Sequence, residues 1–521
     1  KVWGPDAIAK HQSTALWGNA SAITESPKKQ GLIYVGTDDG LIQITENDGG
    51  TWRKVDKIEG IPEMSYVHRI LASQHDANTV YAVFNNHQNG DFKPYLVKST
   101  DAGKTWTSIA SNLPARGSTY AIAEDHVNKN LLFVGTEFGA FFSVDGGGKW
   151  IQMRGGLPTI AVRDIAIQKT ENDLVLGTFG RGIYIMDDYS PLRQVTRAMV
   201  DQPSAMFPIK DALMYNRSNS SFAGSQGASY YTASNPAYRA TITYFLKESP
   251  KTLRQKRQEA ERAAERAKTP FKYPSIAELR AETEEEAPGL IFTITDSDGK
   301  IVRRLNAPAG QGVQRVVWDM RYMPPSVTAP APAGQGGPGG GGGFGGGGGG
   351  GGFGGFGGGP QGSLVMPGKY NVSMAMRVNG VVTPLPGTQS FNVVVEGKEN
   401  ISAADAKTLA EFQRKVSTLQ RAVSAANDVS TNLKTRIAAL KRSAAEAPVA
   451  NNKKFVDQAE AFDNEIDTLI NELRGGRENS EIPPPSIAQR LGNVAGSIRL
   501  STIKPTASQL ANYELVNSEL A

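Results

Sequence analysis

The chain is 521 residues long, with 39% hydrophobic residues, a net charge of +5 and no cysteine. That length allows several domains, and the lack of Cys excludes disulfide staples and thiolate metal sites. Acidic and basic residues are mixed, with no basic patch interleaved with aromatics, so no nucleic-acid partner is expected. No apolar run approaches the roughly 18 residues of a membrane span.

From the N-terminus, three segments share the pattern S/T-x-D/N-x-G-x-x-W: Thr45–Trp52, Ser99–Trp106 and Ser143–Trp150, starting 54 and 44 residues apart. That spacing is the period of a repeated supersecondary unit. Within each copy the parts suit a hairpin turn. Asn47, Asp101 and Asp145 can bond their own backbone, and Gly49, Gly103 and Gly147 can supply a positive φ. Trp52, Trp106 and Trp150 then return as large apolar anchors. A motif that recurs in every unit is expected to be structural, and Thr45, Ser99 and Ser143 are read as part of the same device. Ahead of each copy stand two short β-rich runs split by a turn, as in "LIYVGTDDGLIQIT" and "LLFVGTEFGAFFSV". A fourth run, "DLVLGTFGRGIYIM", has no box after it. Residues 1–195 therefore read as the last blades of a β-propeller. Four blades are few for a closed ring. Missing N-terminal blades before Lys1, or another chain, are expected to complete it.

These boxes, with "YVHRI", "NNHQNGDFKPYLVKSTDAGKTW" and "DLVLGTFGRGIYIMDDYSPLR", resemble the Asp-box (BNR) repeats of a bacterial sortilin/Vps10-like secreted family labelled "glycosyl hydrolase". The resemblance is good over about residues 1–400. It implies a secreted, periplasmic or cell-surface location. It also raises a glycosidase of sialidase or xyloglucanase type as an alternative to a non-catalytic binding protein. Members often carry His in the turn "GTHGRG", where this chain has Phe179, so a role for that imidazole is absent.

Glycosidases need two carboxylates flanking the sugar bond, about 5–5.5 Å or about 6.5–9.5 Å apart. The weak candidates here are Asp39 in "TDDG", Glu137 in "GTEFG", Asp164 at the start of a strand and Arg181 in "GRG". Corresponding turns of successive blades share a face, so Asp39, Glu137 and Arg181 could converge. The same turns repeated as structure are the plainer reading. None of the five His is paired at i,i+4, and the glycine tract lacks a GK[ST] ending, so neither an HExxH zinc site nor a P-loop is present. No metal or cofactor is expected.

Residues 196–400 read as one interrupted, immunoglobulin- or fibronectin-like β-sandwich, with "SDG" and "VNG" as hairpin turns. Its first insertion, 249–288, is a charged helical stretch without an apolar stripe, either a solvated helix or a partner-binding arm. The second, 334–362, is nearly pure glycine with Phe344, Phe353 and Phe356, and is expected to dock against a protein surface. Residues 401–521 read as a helical bundle. Leu409, Phe412, Val416, Leu419, Val423, Ala426, Ser430, Leu433, Ile437 and Leu440 step by three and four as a heptad seam, and Phe455, Ala459, Phe462, Ile466, Leu469 and Leu473 repeat the rhythm. The fold class expected is mainly β with an α-helical tail. The function expected is a propeller binding or scaffold protein that presents surfaces to a protein or glycan partner. A glycoside hydrolase and a structural subunit of a surface assembly are the alternatives.

Overall fold

The computed structural model describes residues 18–214, 239–271, 273–323, 362–396, 402–446, 452–475, 485–498, 501 and 503–520. Phe344, Phe353, Phe356 and the glycine tract up to residue 361 lie outside the described residues. The chain divides into two compact units, Lys1–Asp201 and Gln202–Ala521.

The first unit is a series of antiparallel sheets, each a simple meander. Sheet 1 holds β1 (Ala20–Glu25), β2 (Ile33–Thr37), β3 (Ile42–Thr45) and β4 (Arg53–Val55). Sheet 2 holds β5 (Tyr66–Ala72), β6 (Val80–Asn85), β7 (Tyr95–Ser99) and β8 (Thr107–Ser108). Sheet 3 holds β9 (Thr119–Glu124), β10 (Leu132–Thr136), β11 (Gly139–Ser143) and β12 (Ile151–Gln152). Sheet 4 has only β13 (Val162–Gln168), β14 (Asp173–Thr178) and β15 (Ile183–Met186).

Alternating apolar residues let each inner sheet bury both faces. One buried cluster, with Tyr34, Ile42, Ile44, Ile70 and Phe84, joins sheets 1 and 2. A second, with Tyr81, Leu96, Ile122, Val134 and Trp150, joins sheets 2 and 3. A third, with Phe133, Ala140, Ile165, Leu174 and Tyr189, joins sheets 3 and 4. Among the described residues no buried cluster joins sheet 4 to sheet 1, so the ring is not closed. Glycine permits the close approach at the "VGT" strand ends. A Cβ on Gly36 would stand 2.3 Å from Val67 Cγ1, and one on Gly135 would stand 2.5 Å from the Val162 carbonyl oxygen, in each case on the next sheet.

Both ends of the series are apolar and uncovered. Ile70, Ile122 and Ile165 occupy one repeated position and are buried against the preceding sheet, whereas their counterpart Ile23 is 74% exposed. Ile42 and Ile44 are buried against sheet 2, whereas their counterparts Ile183 and Ile185 are 70% and 59% exposed. The sequence position is the same in each case, and what differs is that no neighbouring sheet covers Ile23, Ile183 and Ile185 among the described residues.

The first unit ends with the short helix α1 (Arg197–Asp201), and the second begins with β16 (Ser204–Met206), β17 (Ala212–Met214) and β18 (Ala240–Leu246). β19 (Gly289–Asp296), β20 (Ile301–Pro308), β21 (Gly312–Trp318), β22 (Gly368–Val378) and β23 (Val381–Val395) complete its strands. They form a three-stranded sheet, β16-β18-β21, and a five-stranded sheet, β17-β23-β22-β19-β20. One core with Tyr244, Phe292, Trp318, Tyr370 and Phe391 serves both sheets. The "VNG" turn places Asn379 and Gly380 at φ 48° and 77°, as a tight hairpin turn requires.

The charged insertion forms two helices instead of one, α2 (Leu253–Ala267) and α3 (Ile276–Glu284). Pro270 and Pro274 divide them. Thr252 and Ser275 close a capping box on each, and Arg257 spans to Glu282 at 2.6 Å. Neither helix buries a residue.

The tail holds α4 (Ala403–Glu446), α5 (Asn452–Arg474), α6 (Ile487–Ile498) and α7 (Ala507–Leu520). Phe412, Val416, Leu419 and Val423 of α4 share a core with Leu473, Leu491, Val494, Ile498 and Val516. The expected seam is therefore buried in its first half only. Leu433 and Leu440 on α4, and Phe455, Phe462 and Leu469 on α5, are exposed. The short α6 and α7 end before reaching them.

Candidate functional site

The three boxes close on their own backbone in the same way. Thr45 Oγ1, Ser99 Oγ and Ser143 Oγ donate to Asn47, Asp101 and Asp145 at 3.0, 2.7 and 2.7 Å. The same oxygens accept from the N–H of Gly49, Gly103 and Gly147 at 2.9, 2.8 and 2.9 Å. Asn47, Asp101 and Asp145 also accept from the N–H groups of Thr51, Thr105 and Lys149. Hydrogen bonds from Thr105, Ser99 and Lys104 hold the Asp101 carboxyl well below its ordinary range, the Thr105 hydroxyl contributing most.

The box tryptophans differ in burial, and this corrects the expectation of three equal anchors. Trp150 is buried and donates from Nε1 to the Ile109 carbonyl at 2.7 Å. Trp106 packs against the core of sheets 1 and 2. Trp52 is 48% exposed, because each box tryptophan lies on the preceding sheet and sheet 1 has none before it among the described residues.

A second repeated feature lies at the start of the first strand of each sheet. The pairing of β1 with β2 shifts between Ala20 and Ala22, leaving Ser21 unpaired. The β5–β6 pairing shifts around His68, and the β13–β14 pairing around Arg163. In β9, Thr119 and Ala121 face successive residues of β10, leaving Tyr120 as the extra residue. A bulge re-aims one side chain out of the alternating pattern. Here it does so at one equivalent position in four neighbouring sheets.

The four bulge residues form a row. Ser21 Oγ donates to the Val67 carbonyl at 2.8 Å. The His68 ring meets Tyr120 edge-on, with centroids 5.2 Å apart, and the centre of the Tyr66 ring lies 5.8 Å from that of His68. The Arg163 guanidinium lies 3.8 Å from the centre of the Tyr120 ring and 5.2 Å from that of Phe179. Such stacking is favourable for a guanidinium. The Tyr120 hydroxyl donates to Glu137. Burial and this carboxylate raise the Tyr120 pKa. Burial, with the nearby Arg163, Arg69 and His87, lowers that of His68 to about 4, so its ring is neutral near pH 7.

The hairpin turn after the second strand lies at the same end as the bulge. The N–H groups of Asp38, Glu137 and Phe179 donate to the carbonyls of Asn19, Ser118 and Ala161, just before the first strand of their own sheets, at 3.0, 2.9 and 2.9 Å. These turns therefore border the row and carry the exposed rings of Phe138 and Phe179. Two buried polar groups here have no hydrogen-bond partner among the described residues: Ser118 Oγ and Arg163 Nε. Buried polar groups are nearly always bonded, so orphans clustered in one place mark where water or a ligand completes the surface.

Of the residues singled out in the sequence, Glu137 joins the row through Tyr120. Asp164 is paired with Arg69, which comes from sheet 2. Thr37 Oγ1 donates to Asp39, and Arg181 is exposed on its turn. The turns that carry Asp39, Glu137 and Arg181 lie at the end of the sheets where the bulges lie, and the row of bulge residues there is one the sequence reading did not select. Its signal was present: Ser21, His68, Tyr120 and Arg163 each stand two residues before an isoleucine, Ile23, Ile70, Ile122 and Ile165. Among the described residues no group of three or more His, Asp or Glu is placed to hold a metal ion, and no helix is long and apolar enough to cross a membrane.

No family model matches the chain. It is 27% identical over 146 residues to a xyloglucanase of Hypocrea jecorina (strain QM6a), covering 25% of this chain and 17% of that enzyme. The chain thus spans less than a fifth of the curated relative's length. Among solved structures, an ancestral GH74 enzyme matches at 18% identity and TM-score 0.28, over 32% of this chain and 24% of that one. The GH74 xyloglucanase from Xanthomonas campestris matches at 11% identity and TM-score 0.28, over 76% and 47%. YCF48 from Cyanidioschyzon merolae matches at 15% and 0.25, over 32% and 53%. Sequence similarity to a xyloglucanase is therefore weak, and the structural overlaps are too partial to define a family.

Proposed function

We propose that the first unit is an arc of an Asp-box β-propeller that binds a polysaccharide across the row Ser21–His68–Tyr120–Arg163, and that the ligand is a β-glucan of the xyloglucan kind. The row carries this reading. A sugar presents C–H faces and hydroxyls together. Aromatic rings suit the former, and unpartnered donors and acceptors suit the latter. Phe138, Phe179 and Tyr66 supply the rings, and Ser118 and Arg163 the unpartnered groups, at one end of adjacent sheets. The similarity to a xyloglucanase supports the ligand class.

Binding is preferred over cleavage. Hydrolysis requires two free carboxylates about 5–5.5 Å or about 6.5–9.5 Å apart. Glu137 is the one acid tied into the row, and Arg69 occupies Asp164. A glycoside hydrolase is the second reading. The xyloglucanase similarity favours it, with the second acid supplied by sheets that complete the ring.

The exposed ends of the arc, Ile23 and Trp52 on sheet 1 and Ile183 and Ile185 on sheet 4, support completion by further blades of the same repeat. Those blades come from the same longer chain or from another one. The paired sheets of the second unit fit an immunoglobulin-like spacer. A polysaccharide ligand implies a secreted, periplasmic or cell-surface protein of the sortilin-like Asp-box kind.

Affinity electrophoresis of the full chain in gels with and without xyloglucan tests the proposal. Retardation by xyloglucan, abolished in Phe179→Ala and Arg163→Ala, is expected. Equal mobility in xyloglucan and plain gels would reject it. Retardation unchanged by both substitutions would place the ligand elsewhere.

A further inference from the structure

We infer that Arg163 is the receptor for a carboxylate on the ligand, so that the polysaccharide bound along the row carries uronic acid groups. This rests on the reading of the row as a polysaccharide site and adds the charged group which that site selects.

The first unit has four partly buried arginines, Arg53, Arg69, Arg163 and Arg193. Three of them have oxygen partners within the protein. Arg53 donates to the carbonyls of Ala102 and Gly103, Arg69 pairs with Asp164, and Arg193 pairs with Asp125. Arg163 is the exception. Its guanidinium lies 3.8 Å from the centre of the buried Tyr120 ring and 5.2 Å from that of Phe179. Rings steady a guanidinium but give its N–H groups no oxygen. Among the described residues no hydrogen bond or ion pair ends on Arg163, and its Nε is buried without a partner.

The acids at this end of the sheets are engaged elsewhere. Glu137 accepts from the Tyr120 hydroxyl, and Asp164 is held by Arg69. The Arg163 charge is therefore not neutralised by an ion pair. After burial, it is the largest influence that lowers the His68 pKa.

A guanidinium held in place with its donors open presents a planar fork. That fork matches the two oxygens of a carboxylate through parallel, charge-assisted hydrogen bonds. A sugar hydroxyl accepts one such bond but brings no charge. On a glucan the group that fits is a C6 carboxylate, because it projects from the pyranose ring and leaves the C–H face for Phe179. Ser118 Oγ, the second buried group without a partner here, is left for a neighbouring hydroxyl.

Calorimetric titration of the full chain tests this with two probes. One is xyloglucan oligosaccharide; the other is the same sugar oxidised with TEMPO, which turns its free primary hydroxyls into C6 carboxylates. The oxidised sugar should bind about tenfold more tightly, as expected for hydrogen bonds to a charged group. Arg163→Lys keeps the net charge but removes the fork, and should bring the two affinities close to equal. Equal affinities in the wild type would overturn the inference and leave the polysaccharide reading standing. No binding of either sugar would reject both. A preference that persists in Arg163→Lys would mark general attraction to a basic chain and would also overturn the inference. Phenylglyoxal labelling of wild-type arginines, followed peptide by peptide, decides the case in which the variant binds neither sugar. Glucuronate should slow labelling of Arg163 and glucose should not; equal labelling with the two would overturn the assignment.

Discussion

Tyr120 is buried between the edge of His68 and the guanidinium of Arg163, with its hydroxyl on Glu137. Such a row is sensitive to protonation at His68. The folded-state pKa is about 4 against an ordinary 6.5, so the unfolded chain binds a proton that the folded chain refuses. The stabilising contribution is complete above about pH 6.5, falls as pH drops, and is spent near about pH 4. Its upper bound is about 3 kcal/mol. Denaturant midpoints across that window should fall less for His68→Phe than for the wild type; parallel curves would contradict the assignment. At the box, Asp101→Ala removes the acceptor for Ser99, Lys104 and Thr105 and should cost about 1–2 kcal/mol in urea unfolding, without changing ligand affinity in the folded fraction. A weaker affinity at an unchanged midpoint would mean the box binds ligand directly.

At the scale of elements, the meander of short strands was legible because "VGT", the box and the alternating apolar residues recur together. Gly135 shows why the glycine is there: any Cβ would press on the Val162 carbonyl of the next sheet. Gly135→Ala should force sheets 3 and 4 apart and lower stability by about 1–3 kcal/mol. Gly177→Ala, at the same position in sheet 4 where a Cβ would meet nothing nearer than 3.6 Å, should cost less. Equal losses in thermal unfolding would show that backbone freedom, not sheet approach, decides. The row itself was not legible in the same way. A bulge is defined by register against a partner strand, and a single strand such as "YVHRI" does not reveal which residue is left over. The box tryptophans and the heptad seam show the opposite limit. Trp52 has the sequence of an anchor and Leu440 that of a core residue, yet both are exposed because burial depends on a neighbour that the pattern does not name.

For the whole molecule, the end sheets govern behaviour in solution. Residues 1–195 expressed alone should associate or aggregate through the apolar faces that carry Ile23 and Trp52 at one end and Ile183 and Ile185 at the other. A soluble, monomeric fragment that unfolds cooperatively would show that four sheets suffice. The proposed ligand face is a separate matter, since it lies along the starts of β1, β5, β9 and β13 and not on the open sheet faces. Hydrogen–deuterium exchange of the full chain, with and without saturating xyloglucan oligosaccharide, tests that claim most directly. The account predicts slowed exchange at residues 20–22, 66–69, 118–121, 136–139, 161–164 and 177–183, with the box turns at 45–52, 99–106 and 143–150 unchanged. Protection confined to the box turns, or to the second unit, would contradict it.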